Sequence, residues 1–217
     1  MAWSVSTIFT AVTAVFWLLN AKNFPFAWHI RFYKSLTYFL YIHKPRPEVA
    51  GDVFRKSIYT NRSPAMECDL NGHKSNSTYF SDLDIARTDL MVEVFRKLLL
   101  DVKKNDGIWL YIPVGAVATV FKREIKPYIK YQISSRVLGW NDKWLFVLSR
   151  FEDPKTKKLY AFSLTKYVLK KGRITVPIPE ALKASDLWSE EVERKGREGL
   201  KYAQGLLDLD MLEEVEI

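Results

Sequence analysis

The chain has 217 residues, of which 48% are hydrophobic and 14% aromatic, so it is not an intrinsically disordered protein and is long enough to form a sizeable core. Its single cysteine excludes a disulfide framework and a cysteine-rich zinc site. The formal net charge is +8, but the basic residues are scattered. Because the chain has no zinc finger, RNP motif or recognition helix, we expect no nucleic-acid partner.

An apolar segment opens the chain. Residues 2–19 carry no charged side chain, and thirteen of these eighteen residues are apolar. As a helix they would be about 27 Å long, which is close to the thickness of a bilayer core. We therefore predict a transmembrane or membrane-anchor helix over residues 1–20. A cleaved signal peptide and a buried core helix are the alternatives, but no basic residue precedes the apolar run.

The segment that follows is basic and aromatic. Its basic residues are Lys22, Arg31, Lys34, Lys44 and Arg46. The positive-inside rule then predicts a membrane-anchored protein whose domain faces the cytosol. Residues 24–43 fit either an interfacial helix lying on the membrane or a helix packed on the domain. Because Pro45 and Pro47 end this region, we assign residues 21–48 to the interfacial helix and a linker.

Residues 49–184 have the pattern of one α+β domain. Residues 53–69 are predicted to be extended, and apolar residues at helical spacing predict a helix over residues 76–100. Strand-like segments follow at 108–122, 127–139, 143–152, 158–170 and 174–179. One long helix followed by an antiparallel sheet of about five strands requires the sheet to wrap the helix. Residues 185–217 are predicted to form a charged C-terminal helix, over 185–209, and a tail.

A short motif lies where the extended segment meets the long helix. Asp69 is followed by the Gly72-His73 pair and then by the polar helix start at Asn76. This spacing places a carboxylate beside the positive end of a helix, where the oxygen of a substrate carbonyl would be polarised.

The motif resembles the signature of the hot-dog-fold acyl thioesterases of the 4-hydroxybenzoyl-CoA type. Their pattern is Asp-x-x-Gly-His-x-Asn-Asn-x-x-Tyr, followed by an acid and then Ala-Arg. The matching residues are Asp69, Gly72, His73, Asn76, Tyr79, Asp84, Ala86 and Arg87. Lys74 and Ser75 depart from the pattern, where the family usually has Val or Met and a first Asn. The apolar N-terminus is most similar to that of membrane-associated thioesterase-like proteins of eukaryotes, including those encoded beside fungal biosynthetic enzymes.

The resemblance implies a hot-dog fold, an antiparallel sheet wrapped around one long helix, here with an N-terminal apolar helical extension and a C-terminal helix. It implies Asp69 as nucleophile or general base and the backbone around Asn76 as oxyanion donor, with His73 as a further catalytic candidate. Capping of the helix is the alternative for Asp69, and shaping of the turn is the alternative for His73. The candidate substrate-binding residues are Gly72, Ser77, Tyr79, Asp84, Lys122 and Arg123.

Several of these candidates have a structural alternative. Tyr79 fits a core position, and Asp84 has the spacing to pair with Arg87 on one helix. Lys122 and Arg123 fit contacts to the phosphates of coenzyme A or of a carrier-protein arm, or an ordinary solvated sheet edge.

We therefore predict a thioesterase that hydrolyses an acyl-CoA or an acyl group bound to a carrier protein, in polyketide or lipopeptide biosynthesis. A dehydratase, cyclase or isomerase on the same scaffold and a catalytically silent acyl-binding scaffold at the membrane are the alternatives. No metal and no separate cofactor are expected, because coenzyme A or phosphopantetheine belongs to the substrate. The expected partners are the thioester, the membrane, an acyl carrier protein and a second copy of the chain in a homodimer or higher oligomer.

Overall fold

The computed structural model describes residues 4–43 and 52–214, so the predicted linker residues Lys44, Pro45, Arg46 and Pro47 lie outside the described residues. The helices are α1 (Val5–Leu19), α2 (Ala27–Thr37), α3 (Asn76–Asp106), α4 (Ile178–Ala184), α5 (Glu190–Leu200) and α6 (Gln204–Asp208). The strands are β1 (Ser57–Arg62), β2 (Leu110–Tyr111), β3 (Val114–Phe121), β4 (Lys130–Trp140), β5 (Leu145–Glu152), β6 (Leu159–Tyr167), β7 (Leu169–Lys171) and β8 (Ile174–Val176).

Five strands form one antiparallel sheet around α3. Their order is β1-β4-β5-β6-β3, while β2, β7 and β8 form a small second sheet. One face of the large sheet packs on α3, whose apolar side chains include the fully buried Leu83, Leu90 and Phe95. Among the described residues, β3 pairs only with β6, so its outer edge has no strand neighbour. The predicted α+β arrangement, with a sheet wrapped around one long helix, is therefore confirmed.

The long helix continues six residues beyond its predicted end at residue 100. Lys103 and Lys104 occupy its last turn, where positive charge favours the carbonyl end of a helix. The helix stops only at Gly107, whose φ of 72° lies in the left-handed region that ends helices. The backbone kinks at Phe95, where the dihedral angles leave the helical range.

Two predicted strands are each divided into two. The segment 108–122 forms β2 and β3, which belong to different sheets. Pro113 lies between them and cannot donate a ladder hydrogen bond. The segment 158–170 likewise forms β6 and β7. The predicted strand over 174–179 ends after β8, because the Pro177-Ile178-Pro179 stretch begins α4.

A row of hydroxyl side chains crosses the inner face of the sheet in register. Its members are Ser57, Ser135, Ser149, Ser163 and Thr119, one from each strand. Two adjacent pairs are hydrogen-bonded, with oxygen separations of 2.7 Å for Ser135–Ser149 and 2.8 Å for Thr119–Ser163. An apolar cluster containing Tyr79 and Ile133 lies on one side of this row, and a larger one containing Leu90 and Val147 lies on the other.

The C-terminal helices cover part of the outer face of the sheet. The helix predicted over 185–209 is divided into α5, a 3-10 turn and α6. Helix α5 approaches β4 so closely that a Cβ atom built on Gly199 would lie 1.6 Å from the carbonyl oxygen of Leu138. Leu206 of α6 and Ala203 of the turn pack on Phe146, on the same outer face.

The N-terminal helices differ in what they contact. No residue of α1 is buried, whereas α2 lies along α3. Across residues 4–43 and 52–214, no helix combines the length and the apolar character needed to cross a membrane. Helix α1 has 15 residues, or about 22 Å, because Ser4 caps its start and Asn20 bonds its last turn. The predicted transmembrane helix is therefore not supported.

Candidate functional site

Asp69 and His73 lie in a tight turn between β1 and α3. The Asp69 amide donates to the carbonyl of His73 over 2.9 Å, and the Gly72 amide donates to the carbonyl of Asp69 over 3.0 Å. Gly72 has a φ of 72°, which a residue without Cβ adopts at no steric cost. The Asp69 carboxylate lies 3.6 Å from Nδ1 of His73. With about a third of its side chain exposed, Asp69 is accessible to a ligand and to water.

The turn leads directly into the start of α3. The Lys74 amide donates to Ile125, and the Ser75 amide donates to Glu67, each over 2.8 Å. Ser75 occupies the N-cap position, and the Asp69 carboxylate accepts instead from the Asn71 amide at 2.9 Å. Asp69 is therefore not the cap of this helix. Asn76 is the first helical residue, and the first N–H groups of an α-helix have no partner within the helix.

A pocket of about 230 Å³ opens at this helix start. Its lining residues are His73, Lys74, Asn76, Tyr79, Phe121, Lys122, Arg123 and Glu124. The structure thus brings five of the predicted site residues to one cavity, although they come from segments more than 40 residues apart. The pocket also borders the unpaired edge of the sheet, because Phe121 is the last residue of β3.

The other candidates are placed as follows. Tyr79 is buried, and its ring packs on Phe121 and Phe151 at centroid distances of 5.1 and 4.9 Å, so it is also a core residue. Asp84 pairs with Arg87 one turn further along α3. Asp69, Gly72, Ser77 and Asp84 do not line the pocket; Asp69 adjoins it through His73, whose ring nitrogen lies 3.6 Å from the Asp69 carboxylate.

Behind the turn lies a group of buried ionic side chains that we call the charged cluster. Its members are Lys22, Arg31, Glu67, Lys74 and Asp82. Asp82 accepts from Lys22 and Arg31 at 2.8 Å each and from Lys74 at 3.0 Å. Glu67 lies 2.7 Å from Lys22 and 2.6 Å from Lys74. Neutral groups complete the shell of Asp82, because the Asn61 amide donates at 2.8 Å and the Tyr131 hydroxyl also donates.

The charged cluster keeps its carboxylate ionised despite burial. Burial opposes the charged form of Asp82, but attraction to Lys22 and Lys74 outweighs it and holds the pKa of that carboxyl well below its usual range. Burial also lowers the pKa of Lys22, against the attraction of Asp82. Three cations face two carboxylates here, so the cluster has an excess of one positive charge directly behind the Asp69 turn.

The sequence analysis missed the charged cluster, although it contained one signal for it. Lys74 stands where the resembling family usually has Val or Met, and the Lys74 side chain is completely buried. A buried ammonium group requires a carboxylate partner. The departure at Lys74 therefore predicted nearby acids. It did not predict which ones, because Glu67 and Asp82 fit a turn and an ordinary helix surface equally well.

Comparisons with known proteins show the family to which this chain is similar. Residues 63–185 match the model of the thioesterase-like superfamily. The "Probable thioesterase YBR096W" of Saccharomyces cerevisiae is 41% identical over 208 residues, covering 91% of this chain and 88% of that protein. "Thioesterase poxG" of Penicillium oxalicum is 32% identical over 259 residues, covering 94% of this chain and 86% of that protein.

A solved structure shows the same fold. The YbaW probable thioesterase of Escherichia coli aligns with a TM-score of 0.50 and 12% identity over 64% of this chain and 98% of that protein. The fold is that of the hot-dog thioesterases, as predicted. This chain belongs to the thioesterase-like superfamily.

Proposed function

We propose that the protein hydrolyses acyl thioesters at the pocket beside Asn76, with Asp69 as the catalytic acid-base group. The observation that carries this proposal is the turn that joins Asp69 to the start of α3 and to the pocket. Asp69 takes a proton from water, and the water oxygen attacks the thioester carbonyl. The carbon–sulfur bond then breaks, which releases a carboxylic acid and a thiol that receives the proton.

The helix start supplies the second requirement, stabilisation of the oxyanion. The free N–H groups at Asn76 and the dipole of α3 favour negative charge at this point. Lys122 and Arg123 border the same pocket, which supports their proposed contacts to the phosphates of coenzyme A or of a phosphopantetheine arm. Which of the two carriers is used, and a place in polyketide or lipopeptide biosynthesis, remain predictions.

A homodimer formed through the free edge of β3 is part of this proposal. The pocket is smaller than the 300 Å³ or more that is typical of small-molecule sites, and Phe121 at the end of that edge strand lines it. Val114, Val120 and Phe121 expose apolar surface along β3. A second copy pairing there would cover this strand and enclose the pocket.

The test is thioester hydrolysis by the full-length chain on short, long and aromatic acyl-CoAs, with Asp69→Asn in parallel. We expect the variant to be slower by about a hundred- to ten-thousandfold, the usual range for loss of an acid-base group. Unchanged hydrolysis would exclude Asp69 as that group. If the folded wild-type protein hydrolyses no thioester, the non-hydrolytic enzyme or the silent acyl-binding scaffold replaces this proposal.

We also propose that α1 lies on a lipid surface. Support comes from the exposure of 85% of Val5, 72% of Phe9 and 75% of Leu18. Such a helix binds in the plane of the interface by burying its apolar side chains. Flotation of the full chain with anionic vesicles tests this, with a Phe9→Ser/Leu18→Ser double variant as control. Equal recovery of both proteins with the vesicles, or of neither, would contradict the proposal.

A further inference from the structure

Three contacts attach the start of the N-terminal segment to the loop that carries the proposed site. The Asn20 side chain accepts from the Met66 amide at 3.0 Å. The Lys22 ammonium group donates to the carbonyl of Arg62 at 3.2 Å and lies 2.7 Å from the Glu67 carboxylate. Asn20 is fully buried, and the Lys22 side chain is only 12% exposed. These contacts therefore fix the segment 62–67 from a part of the chain outside the region that matches the family.

Glu67 transmits this attachment across the turn. Its carboxylate binds Lys22 on one side and Lys74 on the other, and its carbonyl accepts from the Ser75 amide. Residues 67 and 74 are the two ends of the segment that presents Asp69 and His73. The position of Asp69 relative to the start of α3 thus depends on a buried ionic contact at the base of the turn.

Lys22 also connects the turn to α3 itself. The same ammonium group donates to Asp82, six residues after the first residue of the helix. Lys74 makes the equivalent pair of contacts, so Glu67 and Asp82 are bridged twice by lysine. Loop and helix are therefore joined by two lysines, of which Lys74 lines the pocket and Lys22 does not.

From these contacts we propose that Lys22 is a positioning residue for the proposed hydrolysis, a proposal that rests on the function assigned above. The N-terminal segment from Asn20 to Arg31 is then part of the catalytic unit. Lys22 holds the Asp69 turn against the start of α3. The Asp69 carboxylate and the free N–H groups of the helix are thereby positioned to act on the same substrate carbonyl. A displacement of about 1 Å between such groups costs about a hundredfold in rate.

The test compares Lys22→Met with Arg96→Met in the full-length chain. Arg96 donates to the carbonyl of Leu40 at 2.9 Å, so it attaches the other end of the same N-terminal segment to α3. It lies about 21 Å along the helix from Asp82. Both variants remove a contact of the N-terminal segment, but only Lys22→Met removes contacts to the loop that carries Asp69. Removal of Lys22 leaves two cations and two carboxylates, so no net charge is left buried.

We expect Lys22→Met to lower kcat by about 10- to 100-fold with KM changed by less than about twofold, because the pocket lining is intact. Arg96→Met is expected to keep kcat within about twofold, at temperatures where both variants are folded. Equal effects of the two variants on kcat, or no effect of either, would overturn the proposal. Asn20→Ala removes the acceptor for the Met66 amide and the donor to the Phe16 carbonyl, and it provides the comparison if Lys22→Met does not fold.

Hydrogen exchange of the amides of residues 67–75 separates this proposal from the proposed function. Faster exchange in Lys22→Met than in Arg96→Met supports the positioning role even if the wild-type protein hydrolyses no thioester. Equal exchange in the two variants contradicts the positioning role even if the wild-type protein is an active thioesterase.

Discussion

The two sides of the Asp69 turn differ sharply in their chemistry. The exposed side carries Asp69 and His73, partly exposed groups that interact with each other and with backbone. The interior side carries the Glu67 carboxylate and the Lys74 ammonium group, which are buried and ionic. Charge on the exposed side is in contact with water, whereas charge on the interior side is stabilised only by other groups of the fold. The proposed reacting groups are therefore held in place by buried ionic contacts, whose loss would cost more free energy than the loss of an exposed charge.

Asparagine substitution at two aspartates 13 residues apart gives the largest contrast. We expect Asp82→Asn to lower the free energy of unfolding by about 3–5 kcal/mol, because it leaves three buried cations facing one carboxylate. Asp69→Asn is expected to change it by less than about 0.5 kcal/mol, since Asp69 is partly exposed and Asn keeps the acceptor for the Asn71 amide. Urea unfolding measures the free energy of unfolding of both variants. Similar values for the two would contradict the expected difference between a buried and a partly exposed aspartate.

The same contrast has a pH dependence. The pKa of Asp82 in the folded protein lies below its unfolded value of 3.8, so its ionisation stabilises the fold above about pH 4. That stabilisation is lost as the pH falls below 4. In unfolding experiments between pH 5 and pH 3, the wild-type protein should therefore lose more stability than Asp82→Asn does.

Asp89 tests what a buried carboxylate does without a cation. Burial, together with the nearby Glu93, raises the pKa of Asp89 to about 6, against a hydrogen bond from Ser35 that lowers it. Because the folded state binds the proton more tightly, stability should fall as the pH rises from about 4 to 6. We expect Asp89→Asn to be more stable than the wild-type protein by about 1–2 kcal/mol at pH 7.5 and equal to it at pH 4.

Thermal unfolding at the two pH values measures this difference. Asp101→Asn, at an exposed position on the same helix, serves as the control and should show no such change with pH. If Asp89→Asn is less stable than the wild-type protein at pH 7.5, the ionised Asp89 carboxylate stabilises the fold and the expectation is wrong.

Lys74→Met should change stability less than substitution of either buried aspartate, Asp82 or Asp89. It restores the residue type of the family pattern and leaves two cations with two carboxylates, so we expect a change of less than about 1 kcal/mol. Urea unfolding beside Asp82→Asn provides the comparison. A loss as large as that of Asp82→Asn would show that geometry at Glu67, rather than the count of charges, controls this cluster.

The sequence predicts the residues on the exposed side of the turn but not the ionic contacts on its interior side, for a physical reason. Asp69, Gly72, His73 and Asn76 lie within eight residues, so local turn and helix geometry brings them together. The contacts of Lys22 with Glu67 and Asp82 span 45 and 60 residues. No periodicity in a single sequence encodes such a pairing.

Element type was more predictable than element extent. The apolar spacing identified α3 and the sheet, because burial on one face imposes a period on the residues. It could not separate β2 from β3, whose division depends on which sheet each strand joins. Hydrophobic composition likewise overestimated the length of α1. Ser4 at its start and Asn20 at its end limit the helix by local hydrogen bonds, which a count of apolar residues does not include.

The long separation between Lys22 and Asp82 also sets an order of events during synthesis. The ribosome adds about 5–20 residues per second, so the 60 residues between them take about 3–12 seconds to make. Throughout that interval the nascent N-terminal segment has been made, but Asp82, which will accept from Lys22 and Arg31, has not. The aromatic side chains of residues 24–43 are then without the helix they pack on. A chaperone or a lipid surface that binds this segment in the cell therefore has that interval in which to bind it.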